Sequence, residues 1–226
     1  MQHLISPIAY VSSPYTQKFG IPRQPNLVPQ AKIIIELNSE FSEASVRGLT
    51  DFDYIWVHFI FHDAIDEGWA QMVRPPRLGG KQKKGVFATR SPHRPNHLGL
   101  SLLKLEKIET HKTVQLFCSG ADLLNGTPVI DIKPYIPFVE AKTNARSGFA
   151  HAAPELLSVI WQPENLANNL DKDLQLLIEQ SIAQDPRPAY QNIPEREYVM
   201  RIADKEVHFV IQERVANIIK LVEINN

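Results

Sequence analysis

The 226-residue sequence is poor in cysteine and lacks the motifs of several common enzyme sites. Cys118 is the one cysteine, which excludes an internal disulfide framework and favours a reducing compartment. There is no Cys-x-x-Cys pair and the eight histidines are scattered, so the sequence predicts no metal site. The absence of Gly-x-Gly-x-x-Gly, Gly-x-x-x-x-Gly-Lys-[Ser/Thr] and Gly-x-Ser-x-Gly excludes the usual nucleotide loops and the hydrolase elbow.

Long apolar runs are missing as well. No stretch reaches about 18 consecutive apolar residues, and the first residues do not combine a basic segment with an apolar one. We therefore expect no membrane span and no secretory signal. A composition of 43% hydrophobic and 22% charged residues is typical of a globular protein, which we expect to be cytoplasmic.

Acidic residues are missing from one long segment of a chain whose net charge is only −1. Between Glu67 and Glu106 there is no Asp or Glu, and a third of the 24 lysines and arginines lie there. These are Arg74, Arg77, Lys81, Lys83, Lys84, Arg90, Arg94 and Lys104. Such a positive field can attract a polyanion, although a solvated basic surface has the same composition. A Gly-Gly pair before Lys-Gln-Lys-Lys predicts a basic hairpin tip, which suits a nucleic-acid backbone.

The end of this segment, GVFATRSPHRPNHLGLS at residues 85–101, combines charge with a stiff backbone. Residues 86–89 predict a short buried strand, because β-branched and aromatic side chains suit a pleated sheet. Pro92 and Pro95 then restrict the chain while Arg90 and Arg94 supply two guanidiniums. We interpret this segment as a binding loop.

Apolar patterns elsewhere predict a mainly β protein with two domains. Strands are predicted at residues 5–11, 32–37, 52–61, 100–108, 113–119 and 129–135, as in a barrel or sandwich. From Glu140 onward the chain is net acidic, with 13 acidic and 9 basic residues, and residues 141–160 have the composition of a linker. A helical apolar face within 163–183 and three later strands predict a small α+β domain over residues 161–226.

Polar residues near the ends of predicted strands are further candidates. Pro22-Arg23-Gln24-Pro25 places a guanidinium and an amide on a stiff loop, as either a binding loop or a polar turn would. His62 and Asp63 follow the most apolar run of the chain, and Asp131 shares one face of its strand with Lys133.

These motifs together resemble the TsaA-like family, in its bacterial TrmO branch, over essentially the whole chain. The matching segments are PRQ at 22–24, VRPPRLGG at 73–80, residues 85–101 above, DLLNGTPVIDIKPY at 122–135 and DPRPAY at 185–190. The family commonly has RPNPIGLS where this chain has RPNHLGLS, so His97 replaces a proline.

The resemblance implies a fold and a function. Residues 1–140 are expected to form a TsaA-like β-barrel that binds S-adenosylmethionine, and residues 161–226 a domain that positions tRNA. A homodimer is expected, in which the loops of one subunit complete the pocket of the other. The expected reaction methylates the exocyclic N6 of threonylcarbamoyladenosine beside the anticodon of threonine tRNA.

The resemblance and the residue chemistry also assign site residues. Cofactor-binding residues are expected at Pro22, Arg23, Gln24, His62, Asp63, Arg90, Leu100, Asp122, Leu123, Leu124 and Asn125. RNA-binding residues are expected at Arg74, Arg77, Lys81, Lys83, Lys84, Arg94, Arg187 and Tyr190, where the last two could instead form a structural corner. The acceptor nitrogen is a poor nucleophile, so a proton acceptor would help; the catalytic candidates are His62, Asp63 and Asp131, with Asp122 as a further acceptor.

Two other functions remain open at this point. The basic segment alone would also suit a non-catalytic RNA-binding barrel. A methyltransferase acting on a small metabolite is the second alternative, and in such an enzyme the lysines at the hairpin tip would be unnecessary.

Overall fold

The computed structural model describes residues 3–188, 193 and 195–224, and most of its first part is a barrel. The first eight strands are β1 (Ala9–Ser12), β2 (Ile33–Leu37), β3 (Tyr54–Ile60), β4 (Met72–Val73), β5 (Lys84–Gly85), β6 (Leu98–Glu109), β7 (Gln115–Ser119) and β8 (Pro128–Pro134). All of these except β4 and β5 close a barrel in the order β1-β2-β7-β6-β3-β8, and neighbouring strands are antiparallel. The prediction of a mainly β protein with an N-terminal barrel is confirmed.

The barrel core follows from the alternation of side chains along each strand. In β3, Ile55, Val57 and Phe59 are buried, and the residues between them are half-buried. Phe59 lies opposite Gly99 of β6, and a Cβ atom built on Gly99 would lie 2.2 Å from the Phe59 ring. The absence of a side chain at Gly99 therefore leaves the space that the Phe59 ring occupies in the barrel interior.

The connection from β3 to β6 contains a hairpin and not the strand predicted at 86–89. β4 pairs with β5, so the predicted basic hairpin is present. Residues 86–88 form a 3-10 helix in which Val86 is buried and Phe87 is 79% exposed. The strand prediction is wrong because Thr89 turns the chain: its N–H and its hydroxyl both donate to the Val86 carbonyl, at 3.1 and 2.8 Å.

A second sheet follows the barrel. The elements after β8 are α1 (Pro137–Glu140), β9 (Ser158–Trp161), α2 (Lys172–Ala183), β10 (Glu197–Ile202), β11 (Lys205–Gln212) and β12 (Val215–Glu223). The strand order is β10-β11-β12-β9, with β9 parallel to β12. We call this sheet, α2 and the turn at residues 185–188 the second module. The first three residues of β9 lie within the stretch 141–160 that was expected to be a linker. No helix in the described ranges has the length and apolar character that crossing a membrane requires.

The loop after β1, residues 13–32, packs against the second module. Tyr15, Val28 and Ala31 are buried in the same apolar core as Ile178 of α2. Within that core the Tyr15 and Ser181 hydroxyls are hydrogen-bonded at 2.9 Å. The loop therefore leaves the barrel but fills the core of the second module, which joins the two halves of the chain.

We expect Gly99→Ala to destabilise the barrel, because the added methyl group must displace the Phe59 ring in a closed interior. Overpacking of this kind costs about 1–3 kcal/mol of unfolding free energy, which urea denaturation measures. Gly85→Ala is the matched control, since its Cβ atom would meet nothing within 4 Å. Equal unfolding free energies for the two variants would contradict this account of the core.

Candidate functional site

The antiparallel barrel brings three loops to one end. In its register β2 starts beside the ends of β1 and β7, while β6 and β8 start beside the end of β3. The loops at this end are residues 13–32, 61–97 and 120–127, which we call the loop rim. Ten of the eleven expected cofactor-binding residues lie on these loops. The other, Leu100, is 45% exposed on the outer face of β6.

Asp122 is half-buried at the start of the third loop and contacts the barrel wall. The Ser101 hydroxyl donates to Asp122 Oδ1 at 2.6 Å, and Ser101 is 1% exposed at an inward position of β6. Burial raises the pKa of Asp122 to about 6; the Ser101 hydrogen bond and the charge of Arg90 oppose this shift without cancelling it. Ser101 is absent from the predicted site, and its one signal is a hydroxyl at an inward position of an apolar strand.

Arg90 and Gln24 join two loops of the rim. Arg90 Nη1 donates to the side-chain carbonyl of Gln24, and the Gln24 amide donates to the backbone carbonyl of Arg23. Arg90 is exposed, and its charge acts on Asp122 of the third loop. A guanidinium, an amide and a carboxylate that are far apart in sequence are thus brought together.

Arg23 is directed toward the second module. Its Nη2 atom donates to the carbonyl oxygens of Asp185 and Arg187, at 3.3 and 2.9 Å. Desolvation lowers the pKa of Arg23, and the carboxylate of Asp185 opposes the shift. In this structure the Arg23 guanidinium therefore bonds to the protein's own backbone, which differs from the cofactor contact expected for it.

The turn at residues 185–188 holds its own arginine. Arg187 donates through Nε and Nη2 to the two carboxylate oxygens of Asp185, at 2.7 and 2.8 Å, and its side chain is 13% exposed. Asp185 has φ 51°, in the left-handed region. An RNA contact by Arg187 would have to compete with this bidentate pair. Tyr190, which was predicted with Arg187 to bind RNA, lies outside the described residues.

The first and third loops are joined by hydrogen bonds from both backbone and side-chain groups. Asn125 Oδ1 accepts from Ser13 N–H at 3.0 Å, and Asn125 N–H donates to the Tyr15 carbonyl at 2.8 Å. The Ser13 hydroxyl donates to the carbonyl of Leu123, which is buried, at 2.7 Å. The carbonyl of Leu124 accepts a hydrogen bond from the Thr127 hydroxyl at 2.7 Å. Two expected cofactor residues, Leu123 and Asn125, thus fix the loops to each other.

His62 and Asp63 follow β3 directly, in the 3-10 helix His62–Ala64. Lys18 of the first loop donates to the Asp63 carbonyl at 2.8 Å and lies 3.1 Å from its carboxylate. Lys18 also donates to Glu67 at 2.6 Å, and this hydrogen bond lowers the pKa of Glu67. These side chains are about half exposed, so the ion pairs add little stability but bring the first two loops together. His62, which directly precedes Asp63 in the sequence, is half-buried.

Asp131 lies away from the loop rim. It is opposite His58 in the β3–β8 ladder, and Lys133 Nζ lies 2.7 Å from its carboxylate. Partial burial raises the pKa of Asp131, but the hydrogen bond and charge of Lys133 outweigh it and the net shift is downward. The structure therefore does not bring Asp131 together with His62 and Asp63, which were predicted with it as catalytic candidates.

The expected RNA-binding residues fall into two groups. Arg74, Lys81 and Lys83 are exposed and Lys84 is half-buried on the β4–β5 hairpin, and none of them forms an ion pair within the described part of the chain. Arg77 and Arg94 instead donate to backbone carbonyls, Arg77 to that of residue 152. The charge of Arg74 and the three lysines is therefore not neutralised within the described part of the chain.

The proline-rich loop owes its shape to side chains as well as to prolines. Arg94 Nη1 donates to the carbonyls of Thr89 and Ser91, at 3.2 and 3.3 Å. His97 has φ 49°, which a proline cannot adopt, and its Nδ1 atom lies 3.0 Å from the Pro92 carbonyl. The backbone at position 97 therefore differs from one built around the proline common in the family.

The protein is therefore a two-part β-barrel protein. Its barrel carries the loop rim and a basic hairpin, and the first loop of the rim packs against the α+β module. Two family models match it: the tRNA-methyltransferase O N-terminal domain over residues 10–141 and the TrmO C-terminal domain over residues 154–224. Because these matches cover most of the chain, the protein belongs to the TrmO family. The resemblance inferred from the sequence motifs is confirmed.

The similarity to known proteins extends along most of the chain. The tRNA (adenine(37)-N6)-methyltransferase of Eikenella corrodens is 61% identical over 73% of this chain and 94% of the relative. The enzyme of that name from Escherichia coli K12 is 44% identical over 81% of this chain and 82% of its own length. A crystal structure of TrmO from Pseudomonas aeruginosa superposes with a TM-score of 0.80 at 37% identity, covering 98% of this chain and 99% of that one.

Because burial raises the pKa of Asp122 to about 6, the folded protein holds this proton more tightly than the unfolded chain does. The unfolding free energy should therefore fall between about pH 4 and pH 6 and stay lower above that range. Asp122→Asn keeps an acceptor for Ser101 but loses this dependence, and at pH 7 it should be more stable by about 1–3 kcal/mol.

Urea denaturation between pH 4 and 8 tests this expectation. Asp131→Asn is a control of opposite sign, because Lys133 lowers the pKa of Asp131 and that carboxylate contributes stability above its pKa. Parallel stability curves for Asp122→Asn and the unsubstituted protein would contradict a buried, destabilising carboxylate.

Proposed function

We propose that this protein transfers a methyl group from S-adenosylmethionine to the exocyclic N6 of adenine 37 in tRNA. The observation that carries the proposal is the meeting of Arg90, Gln24 and Asp122 from three separate loops, next to an exposed basic hairpin. Relatives named tRNA (adenine(37)-N6)-methyltransferase support the reaction. We further propose that the natural acceptor carries a threonylcarbamoyl group and belongs to threonine tRNA, beside the anticodon.

The loop rim fits the chemistry of the cofactor. S-adenosylmethionine has a carboxylate, positively charged groups and an adenine, and its sulfonium supplies an activated methyl group. The exposed Arg90 guanidinium suits the carboxylate, because a planar fork of donors binds it at two points. Asp122 suits a cation or a hydroxyl, since a half-buried acid with a raised pKa is stabilised by positive charge. Exposed Leu100 offers an apolar surface on the adjoining strand.

Catalysis by this site would depend chiefly on how the methyl donor and the acceptor nitrogen are positioned relative to each other. An activated donor held in line with the acceptor nitrogen needs no covalent intermediate on the protein. Asp63 and Asp131 each have a lysine partner, so His62 and Asp122 are the better candidates to accept a proton from N6. Proton acceptance of this kind contributes about 10²–10⁴-fold in rate.

We propose that a second copy of the chain covers the apolar surface near the rim. Leu98 and Leu100 on the outer face of β6 and Phe87 in the neighbouring loop are large, apolar and exposed. Loops of one subunit could then complete the pocket of the other. Analytical sedimentation is the test, and an active monomer at the assay concentration would exclude this arrangement. A tRNA substrate also implies that the protein works in the cytoplasm.

Two other functions lead to different observations. A non-catalytic RNA-binding barrel would not be stabilised by S-adenosylmethionine, whereas a hundredfold excess over Kd stabilises a binding protein by about 2.7 kcal/mol. A methyltransferase acting on a small metabolite would not need the basic hairpin, so its activity would survive neutralisation of the lysines.

Arg90→Ala should weaken cofactor binding without unfolding the protein. An exposed guanidinium contributes little to stability, whereas loss of a charged hydrogen bond to a ligand costs about 1.5–3 kcal/mol, or roughly tenfold to more than a hundredfold in affinity. Arg90→Lys should restore only part of the loss, because a point charge lacks the planar fork. Calorimetric titration with S-adenosylmethionine and a thermal melt measure the two effects. Unchanged affinity and turnover in Arg90→Ala would remove Arg90 from the site.

A triple Lys81/Lys83/Lys84→Ala variant should bind tRNA more weakly and with less dependence on salt. Each lost phosphate contact flattens the slope of log K against log[salt] by about 0.7–0.9. The matched control is Lys112/Lys142/Lys220→Ala, which removes the same charge from exposed lysines elsewhere. Affinity for S-adenosylmethionine should be unchanged in both. If the hairpin variant keeps its salt slope but loses cofactor affinity, the hairpin serves the small molecule.

A further inference from the structure

We propose that Asp185 and Arg187 of the second module are positioning residues, which hold the Gln24–Arg90 pair of the loop rim in place through Arg23. This inference rests on the proposed function, because it concerns the same cofactor site. It gives the turn at residues 185–188 a role inside the protein, in place of the RNA contact expected from its arginine.

The contacts form a continuous series from the second module to the barrel. Arg187 and Asp185 are joined as a bidentate ion pair, and the carbonyls of both residues accept from the Arg23 guanidinium. The Arg23 carbonyl accepts from the Gln24 amide, and the Gln24 side chain accepts from Arg90. Both side-chain groups of Gln24 are therefore engaged, which fixes its orientation toward Arg90.

The turn has the features of a rigid support. Main-chain carbonyls can meet one guanidinium only if the turn keeps its shape, and the ion pair braces the two residues that present them. The left-handed backbone at Asp185 also specifies that shape. Because the Arg187 side chain is largely buried, its charge is directed inward to Asp185.

The same module supports the neighbouring loop by a second, independent path. Tyr15 is anchored through its hydroxyl to Ser181 of α2, and its carbonyl accepts from Asn125 N–H of the third loop. The hydroxyl of Ser13, two residues before Tyr15, donates a hydrogen bond to the Leu123 carbonyl. The second module thus contacts the loop that carries Gln24 and, through Tyr15 of that loop, supports Asn125. We therefore expect cofactor affinity to depend on this module even when no RNA is present.

The test compares Asp185→Asn and Arg187→Met in the full chain, titrated with S-adenosylmethionine in the absence of tRNA. Asn tolerates the left-handed backbone, so Asp185→Asn loses the ion pair while keeping the turn. We expect cofactor binding to weaken by roughly 2- to 30-fold, which is typical of residues that act through an intermediate contact. Arg187→Lys should rescue Arg187→Met only in part.

A double-mutant cycle separates positioning from independent effects. If Arg187 acts through Arg23, Arg23→Met and Arg187→Met together should cost less affinity than the sum of the single changes. Arg201→Met is the matched control, because it removes a partly exposed ion pair with Glu206 from the sheet of the same module. Its cofactor affinity should stay within about twofold of the unsubstituted protein, as expected of a surface change.

Amide hydrogen exchange without any ligand gives a second readout. The turn variants, but not Arg201→Met, should exchange faster at the hydrogen-bonded amides that flank the pair, which are those of Ile21, Asn26 and Thr89. Unchanged exchange and unchanged cofactor affinity would overturn the proposal. So would a loss of tRNA affinity alone, which would make the turn an RNA contact. If the unsubstituted protein bound no S-adenosylmethionine, the proposed function would fail, while the exchange data would still judge the positioning role.

Discussion

The antiparallel closure of the barrel is the constraint on which the rest of the structure depends. Because each strand runs opposite to its neighbours, connections leave the barrel at alternating ends, and three of them meet at one end. Segments that are about a hundred residues apart in sequence, such as those of Gln24 and Asp122, are brought to the same end by the topology, and hydrogen bonds between the loops then join them. The hydrogen bonds among Arg90, Gln24 and Arg23 then set the fine geometry of a site that the topology has already assembled.

The second module is better understood as part of this site than as an appendage. The first loop contributes Tyr15, Val28 and Ala31 to the core of that module, so its conformation depends on packing in both halves of the chain. A loop held by an apolar core at one side and by hydrogen bonds at the other loses little further freedom when a ligand binds, which favours affinity. The basic hairpin differs, because Arg74 and its three lysines form no ion pair among the described residues, so that their charge can attract a polyanion.

The sequence predicts well those features that depend on local pattern. Alternation at Ile55, Val57 and Phe59 indicates a barrel strand, and the apolar spacing within 163–183 indicates α2. The strand expected at 86–89 fails because Thr89 bonds back to Val86, and the apolar composition of that segment does not reveal this. Contacts such as Arg23 to Asp185, separated by 162 residues, leave no trace in a single sequence. The pairing of Ser101 with Asp122 is likewise a product of tertiary structure.

The residue types of the site could therefore be predicted, but their roles could not. An arginine beside two prolines suits a cofactor and equally suits a backbone carbonyl, and only the fold decides between them for Arg23. Motif resemblance identified the family, which the two matching domain models confirm, and the cofactor role of the loops stays a prediction. It could not indicate which arginine faces outward, which depends on packing against the second module.

Mass spectrometry of tRNA nucleosides tests the central claim most directly. Threonine tRNA would be isolated from cells lacking this protein, and from the same cells supplied with the unsubstituted chain or with Arg90→Ala. The account predicts that the methylated form of threonylcarbamoyladenosine disappears without the protein, returns with the unsubstituted chain and stays low with the variant. An unchanged level of the methylated nucleoside in cells lacking the protein would contradict it.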